Sequence, residues 1–196
     1  MTGKLLVAGV GNIFLGDDGF GVEVARRLAG ADLPDWVQVV DYGIRGMHLA
    51  YDLANGYRSA ILVDATARGG APGTIYLIEP DLADAPTRSD QAGGAAGQAS
   101  ADSALLAANP LFNAHGMQPD VVLGMLGMLG GQTREVLLVG CEPATIDDGI
   151  GLSEPVAAAV DEAVRVVLDL IASAAKSGDE HQLRAKEWAY VPRDSR

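Results

Sequence analysis

The chain has 196 residues, 48% of them apolar, enough to bury the core of one ordinary domain. With 26 acidic against 14 basic side chains the formal net charge is −12, which disfavours a nonspecific electrostatic grip on nucleic acid or anionic lipid. The single cysteine, Cys141, has no partner for an internal disulfide, and the first residues resemble neither a secretory signal nor a bilayer span. A cytoplasmic protein with no nucleic-acid or membrane partner is therefore expected, and a monomer is the default.

Leu5-Leu6-Val7-Ala8 is a continuous apolar run closed by Gly9, the pattern of a strand buried on both faces. After a glycine-bearing loop, Phe20, Val24 and Leu28 recur at helical spacing, with Glu23, Arg26 and Arg27 on the other side, so a helix begins near Asp18. Val37 to Val40 form a second strand ending at Asp41, and Met47, Leu49, Ala50 and Leu53 predict a helix from about Gly46. Ala60 to Val63 make a third strand ending at Asp64, and Thr74 to Ile78 a fourth. The connection between those two is too short for a parallel crossover, so they are expected as an antiparallel pair in a mixed sheet.

Residues 84–109 are rich in Ala, Gly, Ser and Asp and read as a flexible insertion. A helix is predicted over 119–129 from Val122, Leu126 and Leu129, weakened by Gly124 and Gly127. Val136 to Val139 supply a fifth strand. Ser153 as N-cap and Pro155 in the first turn then open a long helix whose buried stripe is Val156, Val160, Val164, Val167 and Ile171. The expected architecture is one α/β domain over 1–175. It is a three-layer sandwich with a mixed, mostly parallel five-stranded sheet flanked by helices, followed by a charged tail over 176–196.

Strand, glycine loop and helix in that order invite a nucleotide-binding reading, with Asp41 imitating the acid that holds a ribose. Two details oppose it. Phe14 stands where the third glycine of G-x-G-x-x-G belongs, and Asp17-Asp18 occupies the helix start that would otherwise face an anion. Either acid can simply cap the helix, yet a carboxylate pair at that place attracts a cation.

Ligands of a mostly parallel sheet gather beyond the carboxyl ends of its strands. Asp18, Asp41 and Asp64 all fall on that edge. Asp64 emerges from four apolar residues, although an acid ending a strand often only caps a turn. His115 lies in Phe112-Asn113-Ala114-His115-Gly116-Met117, between the insertion and the next helix; His48 and His181 have weaker settings. Two carboxylates with one neutral imidazole form a mixed oxygen and nitrogen set compatible with several divalent metals, nickel included. No H-E-x-x-H, paired cysteines or G-x-S-x-G is present, and Cys141 after an apolar strand fits an inert thiol better than a dyad with His115.

Together these segments resemble a known family, the maturation endopeptidases that trim the large subunit of nickel-iron hydrogenases. Gly9-x-Gly11-Asn12 followed by Asp17-Asp18-Gly19-x-Gly21 is similar to its signature loop, Leu62-Val63-Asp64-Ala65 to its acid-ending strand, and Asn113-Ala114-His115 to its histidine segment. Val40 to Met47, Val139 to Pro143 and Gly151-Leu152-Ser153 extend the likeness; Tyr42 stands where many relatives have glycine. The resemblance implies that Asp18, Asp64 and His115 are the metal ligands and catalytic group, with Asp17 or Asp41 as an assisting base. It implies cleavage of one peptide bond near the C-terminus of a hydrogenase large-subunit precursor after nickel insertion. The nickel would be presented by the substrate, and no organic cofactor is implied. A nucleotide-binding module and a noncatalytic nickel chaperone are the alternatives.

Overall fold

The computed structural model describes residues 4–80, 133, 135–176 and 183. Within them run β1 (Leu5–Val10), a short 3-10 turn (Gly16–Gly19), α1 (Phe20–Leu28), β2 (Val37–Gly43), α2 (Gly46–Gly56), β3 (Ser59–Ala65), β4 (Ile75–Ile78), β5 (Glu135–Cys141) and α3 (Glu154–Lys176). The expected insertion over 84–109 and helix over 119–129 lie outside the described residues.

The five strands form one sheet in the order β2-β1-β3-β5-β4, parallel throughout except for β4. One expectation needs correction: β4 is antiparallel, but its partner is β5 and not β3, with Ile75 opposite Cys141 and Ile78 opposite Leu138. The short link from β3 to β4 leaves room for β5 between them. Burial gives the reason. β5 is buried from Val136 to Cys141 and suits an interior position, whereas β4 is half-buried from Tyr76 to Ile78 and suits an edge.

Side chains alternate across the pleat and divide the core into two layers. Leu5, Val7, Ile61, Val63, Leu137 and Val139 face α1 and α3, which cover one side with Phe20, Val24, Val160 and Val167. Leu6, Ala8, Ala60, Leu62 and Leu138 face α2, which brings Leu49 and Leu53. Each fully buried aliphatic side chain of this kind contributes about 1.5–3 kcal/mol. Leu183 is buried against the first layer, and its amide donates to Glu135 Oε2 at 2.9 Å. At that position the C-terminal segment is held to the core, a contact that an isolated leucine without periodic neighbours does not announce.

The start of α1 lies unusually close to the sheet. A β-carbon on Gly21 would fall 2.0 Å from the Val63 carbonyl oxygen and 2.4 Å from that of Val10, and one on Gly9 would fall 2.3 Å from the Gly21 oxygen. These glycines serve contact between backbones, not access for a phosphate. Their consequence is that the Gly16–Gly19 turn is set down directly over the ends of β1 and β3.

Candidate active site

The loop after β1 is shaped by its own polar groups. Gly11 has φ +127°, and a β-carbon there would strike the Asp18 carbonyl oxygen at 1.8 Å, so only glycine lets the strand pass beneath the turn. The Asn12 amide donates to Asp18 Oδ2 at 2.6 Å, and Asn12 Oδ1 accepts from the Phe14 amide at 3.0 Å. One amide that a phosphate would need is thus already satisfied by a carboxylate, which removes the physical basis of the nucleotide reading.

Asp64 ends the apolar run of β3 at 5% exposure. Burial, and then the negative charge of Asp18, push its carboxyl well above the ordinary carboxylate range; the Ala65 amide offsets this only in part. The structure therefore brings Asp18 and Asp64 within electrostatic reach of one another at the carboxyl edge of β1 and β3. Among the described residues there is no group of three metal-binding side chains. His115, the third residue of the expected set, lies outside them.

Asp41 reaches the same edge from β2, opposite Gly9 in register. Its side chain is exposed, with Arg26 Nε 3.9 Å from Oδ2, and its carbonyl oxygen accepts from Arg45 Nη2. Arg45 also donates from Nε to the Tyr42 carbonyl oxygen at 3.0 Å, tying the end of β2 to the start of α2. Tyr42 is buried, and its hydroxyl donates to Asp52 Oδ2 at 2.6 Å. Burial and then Asp52 push that phenol well up, so it stays protonated.

Asp17 does something the sequence does not reveal. It is wholly buried, and its carboxylate accepts four hydrogen bonds: Ala144 N at 2.8 Å and Thr145 N at 3.1 Å, with Ser153 N at 2.6 Å and Ser153 Oγ at 2.9 Å. Burial alone would raise its proton affinity, but the bonds from Ser153, Ala144 and Thr145 outweigh it and hold the carboxyl below its ordinary value. A saturated carboxylate of low basicity is a poor proton acceptor. The four bonds give Asp17 a structural task beside the assisting-base role expected of it: it pins the turn carrying Asp18 to the start of α3.

Glu142 plays the matching part on the other flank. Its carboxylate accepts from Arg68 N at 2.7 Å, Gly69 N at 3.1 Å and Tyr76 Oη at 2.7 Å, fixing the loop that leaves Asp64. Both tethers join residues more than 65 positions apart, so spacing gives no sign of them. Beside this loop, Thr66 Oγ1 is buried without a hydrogen-bond partner among the described residues.

An open, mostly parallel sheet with helices on both faces and acids at its carboxyl edge defines a doubly wound α/β protein. The model of the hydrogenase maturation protease family matches residues 22–90 and 102–170. Hydrogenase expression/formation protein HoxM of Azotobacter vinelandii is 31% identical over 187 residues, covering 92% of this chain and 80% of its own. The hydrogenase 2 maturation protease of Escherichia coli is 30% identical over 166 residues, covering 84% and 88%. In structure, the Escherichia coli hydrogenase maturating endopeptidase HybD superposes with a TM-score of 0.63 at 29% identity, covering 89% of this chain and 94% of its own. The chain belongs to the hydrogenase maturation protease family, and its enzymatic class is that of an endopeptidase. No helix among the described residues is long and apolar enough to cross a membrane.

Proposed function

We propose that this protein removes a C-terminal extension from the large-subunit precursor of a nickel-iron hydrogenase after nickel insertion, and that Asp18, Asp64 and His115 engage the nickel carried by that substrate. The observation that carries the reading is the pairing of Asp18 with a nearly sealed Asp64, whose charge is disfavoured by burial and then by Asp18. A divalent cation arriving between them removes that repulsion, so docking is coupled to metal loading. Carboxylates with an imidazole suit a borderline divalent ion whose remaining positions stay with the substrate.

With the metal as anchor, the scissile bond lies along the same edge, where water adds across the peptide C–N bond. Asp41, exposed on the rim and less enclosed by hydrogen bonds than Asp17, is the better placed of the two candidate bases to take the proton from that water. The nickel positions the substrate and can also polarise the carbonyl.

The test is intact-mass analysis of a hydrogenase large-subunit precursor, with and without nickel, incubated with the wild type and with Asp18→Asn, Asp64→Asn and His115→Ala. Loss of a C-terminal peptide only from nickel-loaded precursor, and only with the wild type, is expected. Equal trimming without nickel, or normal trimming by all three variants, would overturn the proposal. A nickel chaperone would instead leave the precursor mass unchanged.

A further inference from the structure

Three large apolar side chains near the site stand in solvent: Phe14 at 61% exposure, Ile146 at 47% and Ile150 at 82%. They share one small ribbon. Leu15 bridges Gly149 in parallel fashion, the Gly16 amide donates to the Gly149 carbonyl at 3.0 Å, and the Gly149 amide donates to that of Phe14 at 2.9 Å. The Asp17 amide adds a bond to the Thr145 carbonyl at 3.3 Å, beneath which the Asp17 carboxylate holds Ala144 and Thr145. Large apolar side chains gathered in one exposed patch and rimmed by polar residues mark interaction sites.

We propose that this ribbon is the docking platform for the protein substrate, and that it takes a substrate segment whose apolar side chains are flanked by lysine or arginine. The inference rests on the peptidase reading above. Charge selects the occupant. Asp147 and Asp148 are exposed between the two isoleucines, and neither forms an ion pair among the described residues. A partner bringing apolar groups alone would leave these carboxylates uncompensated at the rim, whereas basic flanks complement them. Position selects the partner. Phe14 is bonded to Asn12, whose amide holds Asp18, so a chain whose scissile bond lies at Asp18 and Asp64 runs onto the ribbon within a few residues.

The experiment titrates the nickel-loaded large-subunit precursor against the wild type, Ile146→Ser/Ile150→Ser, Asp148→Lys and Asp64→Asn, and follows trimming by intact mass. The isoleucine pair should raise both the precursor Kd and KM about tenfold while kcat stays within about twofold. Asp148→Lys should weaken binding about fivefold and flatten the loss of affinity with added salt that the wild type shows. Both replaced isoleucines are exposed, so melting temperature should hardly move and serves as the check on folding. Asp64→Asn separates the two claims: it should lose trimming and the nickel-dependent part of binding but keep the salt-sensitive part that the ribbon supplies, and if the wild type itself binds without trimming, the peptidase reading falls while the platform stands. Wild-type affinity and KM in both ribbon variants would overturn the platform. So would absence of precursor binding by the wild type, or a wild-type dimer in sedimentation that the isoleucine pair dissolves, which would make the ribbon a contact between copies of this chain.

Discussion

Replacing Asp17 should show how strongly the site depends on a residue that touches no substrate. Hydrogen bonds to a charged acceptor contribute about 1.5–3 kcal/mol each. The four bonds to Asp17 are not equal in consequence: Ala144 and Thr145 are exposed, so water can take over their amides, while Ser153 is partly buried and loses both its amide and its hydroxyl partner. Asp17→Ala should therefore cost about 3–5 kcal/mol, a fall in melting temperature of roughly 10 °C for a domain of this size. Asp17→Asn keeps one acceptor oxygen and should cost about half as much. Urea titration at neutral pH measures both, and the midpoint should fall at constant slope. The pH dependence carries a sign. The folded carboxyl lies below its ordinary value of 3.8, so its contribution is complete above that value and is lost as pH falls through the folded pKa. Asp17→Asn should lack that part of the acid-side decline. If Asp17→Ala melted within a degree or two of the wild type, the tether would not be the support described here.

Other expectations concern single contacts. Asp64 has the opposite sign to Asp17: its raised carboxyl favours the folded state at low pH and opposes it as pH rises from the unfolded toward the folded pKa, so Asp64→Asn should melt higher than the wild type above neutrality while losing trimming, both read on one preparation. Gly21→Ala would place a β-carbon 2.0 Å from the Val63 oxygen; it should destabilise by about 3 kcal/mol or more in urea, because α1 must lift from the sheet. Thr66→Val removes a buried hydroxyl that has no partner among the described residues, at nearly constant volume, and should stabilise by about 1 kcal/mol, visible as a higher melting temperature.

The strands were legible because runs such as Ala60 to Val63 and Val136 to Val139 are apolar on both faces, and α3 because Val156, Val160 and Val167 keep one stripe over a long stretch. The acids at the carboxyl edge were legible from their places after the strands: Asp41 and Asp64 each follow directly on an apolar run and Asp18 lies in the loop that leaves β1, so Asp18 and Asp64 could be placed on one rim from sequence alone. The partner of β4 was not, since neighbourhood in the chain suggested β3 and only the insertion of β5 decides otherwise. Nor was the division of labour between Asp17 and Asp18. Adjacent and chemically identical, they part because one side chain faces Ala144, Thr145 and Ser153 while the other accepts from Asn12 and reaches toward Asp64. That difference depends on a partner 136 positions away.

The same separation has a consequence for the chain during its synthesis. β1 and α1 leave the ribosome early, but the donors that seat Asp17 include Ser153, near the beginning of the last described helix. The rim carrying Asp18 therefore cannot take its final shape until most of the polypeptide has been made. A nascent or truncated chain ending before that serine has its first acids in hand without the geometry to use them.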